Sequence, residues 1–335
     1  MIALKRILVP TDFSKTSRTA LLYGVALARP FKAQLHLLHV PELPSTYADG
    51  VYPLGLFETM QRATHERLRA QLTERERREL KPERAMRLGA PADEIVDYAL
   101  ERDIDVIVMG THGRQGVARM LVGSVAERVV RRAPCSVLTV HHPEHEFLTP
   151  GEAGPDDITA RDLTGAAAEV AMITLKNILV ATDFSEPSDA ALTYGRELAT
   201  RFGATLHVLH AAENIIGRFG AETYSATAPD LQARLESDAR RRLNDLLIDS
   251  DNSGPSTKPV LLTASSPALA IVDYAKEKNI DLIVVGTHGR SALAHLVMGS
   301  VAERVVRLAP CPVLTVRHPE REFVQPDTLA GTTHV

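Results

Sequence analysis

Short apolar runs alternate with helical patterns along the whole chain. Arg6–Val9 is an apolar run of the buried-strand kind. Ser14 is placed to cap the helix that follows, on which Ala20, Leu21, Gly24, Ala26 and Leu27 are small or apolar. Gln34–Val40 reads as a second strand. The charged run RATHERLRAQLTERERREL predicts a helix over Thr59–Glu79 with a mostly solvated face. A third strand is predicted at Ala85–Leu88, a helix over Ala92–Glu101, and a fourth strand at Asp105–Met109. A helix starting near Gly123 and a fifth strand ending at Val140 complete the set. The same elements then return, with strands predicted at Asn177–Ala181, Ala204–Ala211, Pro259–Thr263, Asp281–Val285 and Pro312–Val316.

The return is a sequence repeat. KRILVPTDFSKTSRTALLYGVALA at Lys5 comes back as KNILVATDFSEPSDAALTYGRELA at Lys176, an offset of 171 residues. IVDYALERDIDVIVMGTHGR at Ile95 comes back as IVDYAKEKNIDLIVVGTHGR at Ile271, an offset of 176, so the second copy is longer in its middle, where the two diverge. A unit of this length is too long for a solenoid and reads as a duplicated domain. The boundaries expected are residues 1–142 and 174–318, with a Pro-, Gly- and Asp-rich linker over 143–173 and a tail over 319–335. A short helix near Leu163–Val170 is compatible with the linker sequence. Continuous apolar strands alternating with helices argue for two tandem α/β domains, each a doubly wound, Rossmann-like parallel sheet covered on both faces. Such a sheet opens a crevice beyond the carboxyl ends of its strands, where the strand order reverses.

Composition narrows the picture. The chain has 335 residues, about two domains' worth. Aromatics make up 4% and tryptophan is absent, so the core must be aliphatic. A net charge of −4 gives no footprint for nucleic acid or for an anionic membrane surface. No apolar stretch approaches the roughly 20 residues of a membrane span, and the N-terminus runs straight into a strand with no leader pattern. Cys135 and Cys311 sit at equivalent places in the two copies and suggest no disulfide framework, which fits a reduced, cytoplasmic setting.

The candidate chemistry lies after the fourth strand. There GTHGRQGVARMLVGSV begins at Gly110 and GTHGRSALAHLVMGSV at Gly286. The glycines keep their spacing while the residues between them change. Gly110 and Gly113 read as a tight turn in which glycine allows positive φ and close backbone approach, so that several N–H groups converge on an anion. Gly123 and Ser124 open a helix whose first N–H groups face the same crevice. The serine hydroxyl can bond a phosphate or cap the helix. Gly286, Gly289, Gly299 and Ser300 repeat the arrangement. A helix N-terminus contributes roughly 0.3–2 kcal/mol to holding an anion, whereas micromolar affinity needs about 8 kcal/mol. A nucleoside pocket must supply much of the rest, from Asp12 after the first strand and Val40 after the second, with Asp183 and Ala211 in the second copy. The pattern is not that of a P-loop.

These stretches resemble a tandem universal stress protein of the ATP-binding branch, which is marked by G-2x-G-9x-G-[ST]. The resemblance covers nearly all of residues 4–142 and 174–318. It implies a five-stranded sheet of order 3-2-1-4-5 in each domain and one adenine-nucleotide site per domain, for ATP, ADP or AMP, to which Mg²⁺ can be bound. It also implies that Asp12 and Val40 contact the nucleoside beside Pro10 and Met109, and that Val125 adds a backbone phosphate contact. The matching positions of the second copy are Ala181, Asp183, Ala211, Val285 and Val301. Ala181 and Ala211 replace Pro10 and Val40, and Ser265 replaces Gly89, so unequal affinities are expected. Family members pair through their last strands, which implies an intramolecular pseudo-dimer or a homodimer.

Other residues admit plainer readings. His112, His288, Arg114 and Arg290 lie inside the glycine turns, where contact with a ligand and ordinary exposure both fit. His39 and His210 read as satisfied structural histidines, and Tyr98 and Tyr274 as helix packing. His141–His145 spells H-x-x-E-H, but the second copy loses two of the three ligands and no metal site is expected. The function expected is an adenine-nucleotide-binding regulatory protein with an unidentified protein partner. The alternatives are a slow ATP hydrolase or phosphotransferase, and a partner-binding scaffold with vestigial sites. No general acid and base are placed beside the phosphates.

Overall fold

The computed structural model describes residues 4–41, 55–111, 123–140, 148–151, 170–215, 228–248, 254–287 and 298–317. The chain forms two compact units, one of Ala3–His142 with Leu148–Thr174, the other built on Leu175–Val335. In the first unit the strands are β1 (Arg6–Pro10), β2 (Gln34–His39), β3 (Glu83–Met86), β4 (Val106–Gly110) and β5 (Ser136–Val140). All are parallel, and their pairings give the order β3-β2-β1-β4-β5. The helices are α1 (Lys15–Phe31), α2 (Leu56–Ala70), α3 (Glu74–Leu80), α4 (Pro91–Glu101) and α5 (Ser124–Arg132). Helices on both faces explain why the strands carry unbroken apolar runs. Ile7, Leu8, Val9, Leu35, Leu38, Ile107 and Val108 are fully buried.

Local chemistry accounts for the element ends. Ser14 caps α1 by accepting the Ser17 N–H at 3.2 Å. The single helix expected over Thr59–Glu79 is instead two, because Thr73 starts a new one. Its hydroxyl accepts the Glu76 N–H at 3.2 Å and its own N–H donates to Glu76 Oε2 at 2.9 Å, a reciprocal capping box. The Arg77 side chain then donates to the carbonyls of Arg69, in the last turn of α2, and of Leu72, just beyond it. β3 begins two residues earlier than expected, at Glu83, since pairing with β2 (His36 opposite Glu83) sets its register and its own apolar pattern is weak.

Within the stretch read as a linker, β6 (Leu148–Gly151) and β7 (Val170–Ile173) pair antiparallel and belong to the first unit. Most of the helix considered near Leu163–Val170 lies outside the described residues, and Val170 is in β7. The second unit repeats the plan with β8 (Asn177–Ala181), α6 (Glu186–Phe202), β9 (Thr205–Glu213), α7 (Ala228–Ile248), β10 (Thr257–Ala264), α8 (Pro267–Glu277), β11 (Leu282–Gly286), α9 (Ser300–Leu308) and β12 (Val313–Val316). Its parallel pairings give β10-β9-β8-β11-β12. Among the described residues, no helix is long and apolar enough to cross a membrane.

Candidate functional site

The crevice can be located from the strand pairings. β1 and β4 pair only at Ile7–Val106 and Leu8–Ile107. Beyond that point each turns to its other neighbour. β1 stays paired with β2 through Pro10–Leu38, and the Thr11 N–H adds a bond to the Leu38 carbonyl at 2.8 Å. β4 stays paired with β5 through Gly110–Val140, and the Thr111 N–H bonds the Val140 carbonyl at 2.9 Å. The two central strands therefore part at their carboxyl ends, which is the topological switch point. In the second unit β8 and β11 separate after Val180–Val284, and Thr182 and Thr287 bond the Leu209 and Val316 carbonyls at 2.9 and 2.8 Å.

Pro10, Asp12, Met109 and Gly110 stand at the mouth of this opening, as do Ala181, Asp183, Val285 and Gly286 in the second unit. Pro10 and Met109 are buried and Asp12 is half-buried. The Asp12 carboxylate accepts the Ser14 N–H at 3.0 Å, and Asp183 accepts the Ser185 N–H at 3.1 Å. Val40 follows directly on β2. The Leu38 carbonyl points to β1 and the His39 carbonyl accepts the Arg87 N–H from the β3 side, so strand alternation turns the Val40 backbone back over the end of β1. Ala211 takes the same place but lies inside β9, which runs on to Glu213 against Ala264. The nucleoside end thus differs in backbone as well as in side chain.

Gly110 and Gly286 are required for a reason other than the one expected. Neither carries a positive φ. A Cβ on Gly110 would stand 2.7 Å from Thr16 Cγ2 and 3.1 Å from its backbone carbon, and one on Gly286 would stand 2.8 Å from the Pro187 carbonyl oxygen. These glycines let the first turn of α1 or α6 close over the strand end. Gly123 is the N-cap of α5 with φ −59°, a conformation open to any residue. Its N–H donates to the Thr111 carbonyl at 2.5 Å, and the Gly299 N–H donates to Thr287 at 2.7 Å, so each glycine loop is tied at its base. Ser124 and Ser300 are first helical residues, not caps, and the N-cap residues, Gly123 and Gly299, bring no side chain to either helix end. The amides offered at this end are therefore those of the first turn, which in α5 are Ser124, Val125 and Ala126 and in α9 begin at Ser300 and Val301. Gly113, Gly289, His112, His288, Arg114 and Arg290, and His141–His145, lie outside the described residues.

Several remaining residues have structural roles. His39 and His210 donate through Nδ1 to the Thr11 and Thr182 carbonyls at 2.7 and 2.8 Å. The Tyr98 and Tyr274 hydroxyls bond the buried His36 and His207 at 3.0 and 2.8 Å, pairs that periodicity does not reveal. Burial pushes the Tyr98 hydroxyl up to about 12. Burial also raises the Cys311 thiol, which is inert packing. Phe13 and Phe184 each stand beside the crevice aspartate, in a TDFS that recurs unchanged in both copies.

Fold and crevice together define an α/β protein with a topological switch point in each of two repeated units. The model of the universal stress protein family matches residues 3–141 and 174–317, and the chain belongs to that family. It is 36% identical over 145 residues to a universal stress protein of Methanocaldococcus jannaschii, covering 42% of this chain and 85% of that one. A universal stress protein of Mycobacterium bovis is 28% identical over 65% of this chain, and the match spans 63% of that protein's length. The crystal structure of a universal stress protein from Archaeoglobus fulgidus superposes with a TM-score of 0.59 at 20% identity, over 93% of this chain and 98% of that one, and this likeness shows the fold alone.

Proposed function

We propose that each unit binds one adenine nucleotide, ATP with its Mg²⁺ being the form expected, and that the chain is a nucleotide-responsive regulatory module of the cytoplasm. The parting of β1 from β4 carries this reading. It sets the half-buried Asp12 on one side of an opening and the first turn of α5, led by Gly123, on the other, an acceptor for ribose or base N–H groups facing donors for phosphate. The second unit supports the same division between Asp183 and α9. Occupation would alter the surface shown to a protein partner.

Native mass spectrometry of the purified chain tests the reading, with two adenine nucleotides per chain expected. Gly113→Val and Gly289→Val should each remove one of them with the fold retained. A double variant that still binds ATP normally overturns the assignment. ATP that stays intact for many hours with Mg²⁺ marks binding; steady release of ADP marks the slow hydrolase instead.

A further inference from the structure

The residue after each crevice aspartate has a backbone that a bulky side chain rarely adopts. Phe13 has φ 63° and Phe184 φ 64°. A phenylalanine in the left-handed region is strained and persists only where its surroundings over-determine it. Those surroundings are the same in both units. The Phe13 N–H donates to Thr11 Oγ1 at 3.0 Å, and the Phe184 N–H to Thr182 Oγ1 at 3.0 Å. The ring of Phe13 lies between His39, at 4.5 Å between centroids, and the Arg67 guanidinium, 3.8 Å above its centre. Phe184 lies between His210, at 4.4 Å, and Arg242, at 4.2 Å. The histidines are themselves bonded to the loop carbonyls just before the aspartates.

The arginines are the telling part. Arg67 is on α2 and Arg242 on α7, the segments in which the two copies diverge, and neither offset that aligns the copies brings them together. Each precedes a buried leucine, Leu68 or Leu243, that turns it to the same side. Two dissimilar helices thus deliver one guanidinium to one ring.

We propose that this stack of histidine, phenylalanine and arginine is a clamp that positions the crevice carboxylate for the nucleoside, with Phe13 and Arg67 serving Asp12, and Phe184 and Arg242 serving Asp183. The left-handed phenylalanine folds the chain so that the aspartate accepts the N–H two residues on. The stack keeps it there before any ligand arrives, so binding does not have to order the loop. The clamp rests on the nucleotide reading above.

Calorimetric titration of the full chain with ATP and with adenosine, and inorganic triphosphate as a competitor, tests it. The pair Arg67→Ala with Arg242→Ala should weaken ATP and adenosine alike by about five- to tenfold, the scale of an unfixed side chain, and leave triphosphate unchanged. Arg67→Lys with Arg242→Lys keeps a cation over each ring and should restore most of the affinity. Phe13→Gly with Phe184→Gly relieves the strain, since glycine takes positive φ freely, and should show the same loss in a folded chain. ATP and adenosine affinities within twofold of wild type in both sets would overturn the clamp, as would triphosphate binding that falls in step with ATP. A wild-type chain that binds neither ATP nor adenosine would instead overturn the nucleotide reading, and the clamp with it.

Discussion

At the scale of single residues, the first glycine of each motif is held by what its missing Cβ would strike. At Gly110 the nearest obstacle is a methyl group, Thr16 Cγ2 at 2.7 Å, with backbone behind it at 3.1 Å. At Gly286 the obstacle is backbone itself, the Pro187 carbonyl at 2.8 Å, which has no rotamer by which to escape. Overpacking a close contact costs about 1–3 kcal/mol. Gly110→Ala should therefore destabilise its unit toward the lower end of that range, and Gly286→Ala toward the upper. Thr16→Ser in the Gly110→Ala background should recover part of the loss. Urea unfolding of the three variants checks the order. The motif was legible in the sequence, but the reason for Gly110 was not. Spacing marks where glycine is needed and says nothing of a helix arriving from a hundred residues away.

At the scale of elements, legibility followed burial. The central strands announce themselves because both faces are covered, and β1, β4, β8 and β11 begin within a residue of where their apolar runs predict. The edge strand β3 is only partly buried and takes its register from β2, so its own pattern misplaces it. The division of α2 from α3 was missed for a different reason. The charged pattern runs through both, and the break depends on a reciprocal pair, Thr73 and Glu76, embedded in a run of glutamates and arginines. That pair can be weighed directly. Thr73→Ala removes the acceptor for the Glu76 N–H and should cost about 1 kcal/mol, while Thr73→Ser keeps it and should cost little. Chemical denaturation monitored by circular dichroism separates the two. Sequence divergence hid the arginines over Phe13 and Phe184 in the same way, because the equivalence of α2 and α7 rests on which residues bury, not on which residues match.

At the scale of the whole molecule, duplication has left two units alike in fold and unlike in charge around one buried histidine each, through which both should respond to acid. His36 and His207 occupy the same strand position, each buried and bonded through Nδ1 to a tyrosine hydroxyl. Burial lowers both imidazoles below the ordinary 6.5. Their neighbours differ. Glu83, opposite His36 across the β2–β3 pair, partly offsets that lowering, against Arg102 and Arg6. Opposite His207 stands Lys258, which with Lys278 lowers it further. A histidine whose folded value is depressed binds fewer protons in the native state than in the unfolded chain. Its unit loses stability as pH falls below about 6.5 and continues to lose it down to the folded value. Where the first unit sets Glu83 opposite its histidine, the second sets Lys258, so there the facing residue adds to the lowering instead of offsetting it. Hydrogen exchange of the intact chain at pH 7.5 and 5.5 should show β2 with α4, and β9 with α8, each losing protection at the lower pH. Lys258→Glu would place at that register the carboxylate the first unit already has, raising His207 toward its ordinary value and lessening the loss there. His207→Gln should abolish the pH dependence at that site, because a side chain that does not titrate carries no linkage; protection of β9 and α8 unchanged between pH 7.5 and 5.5 in the wild-type chain would refute the account.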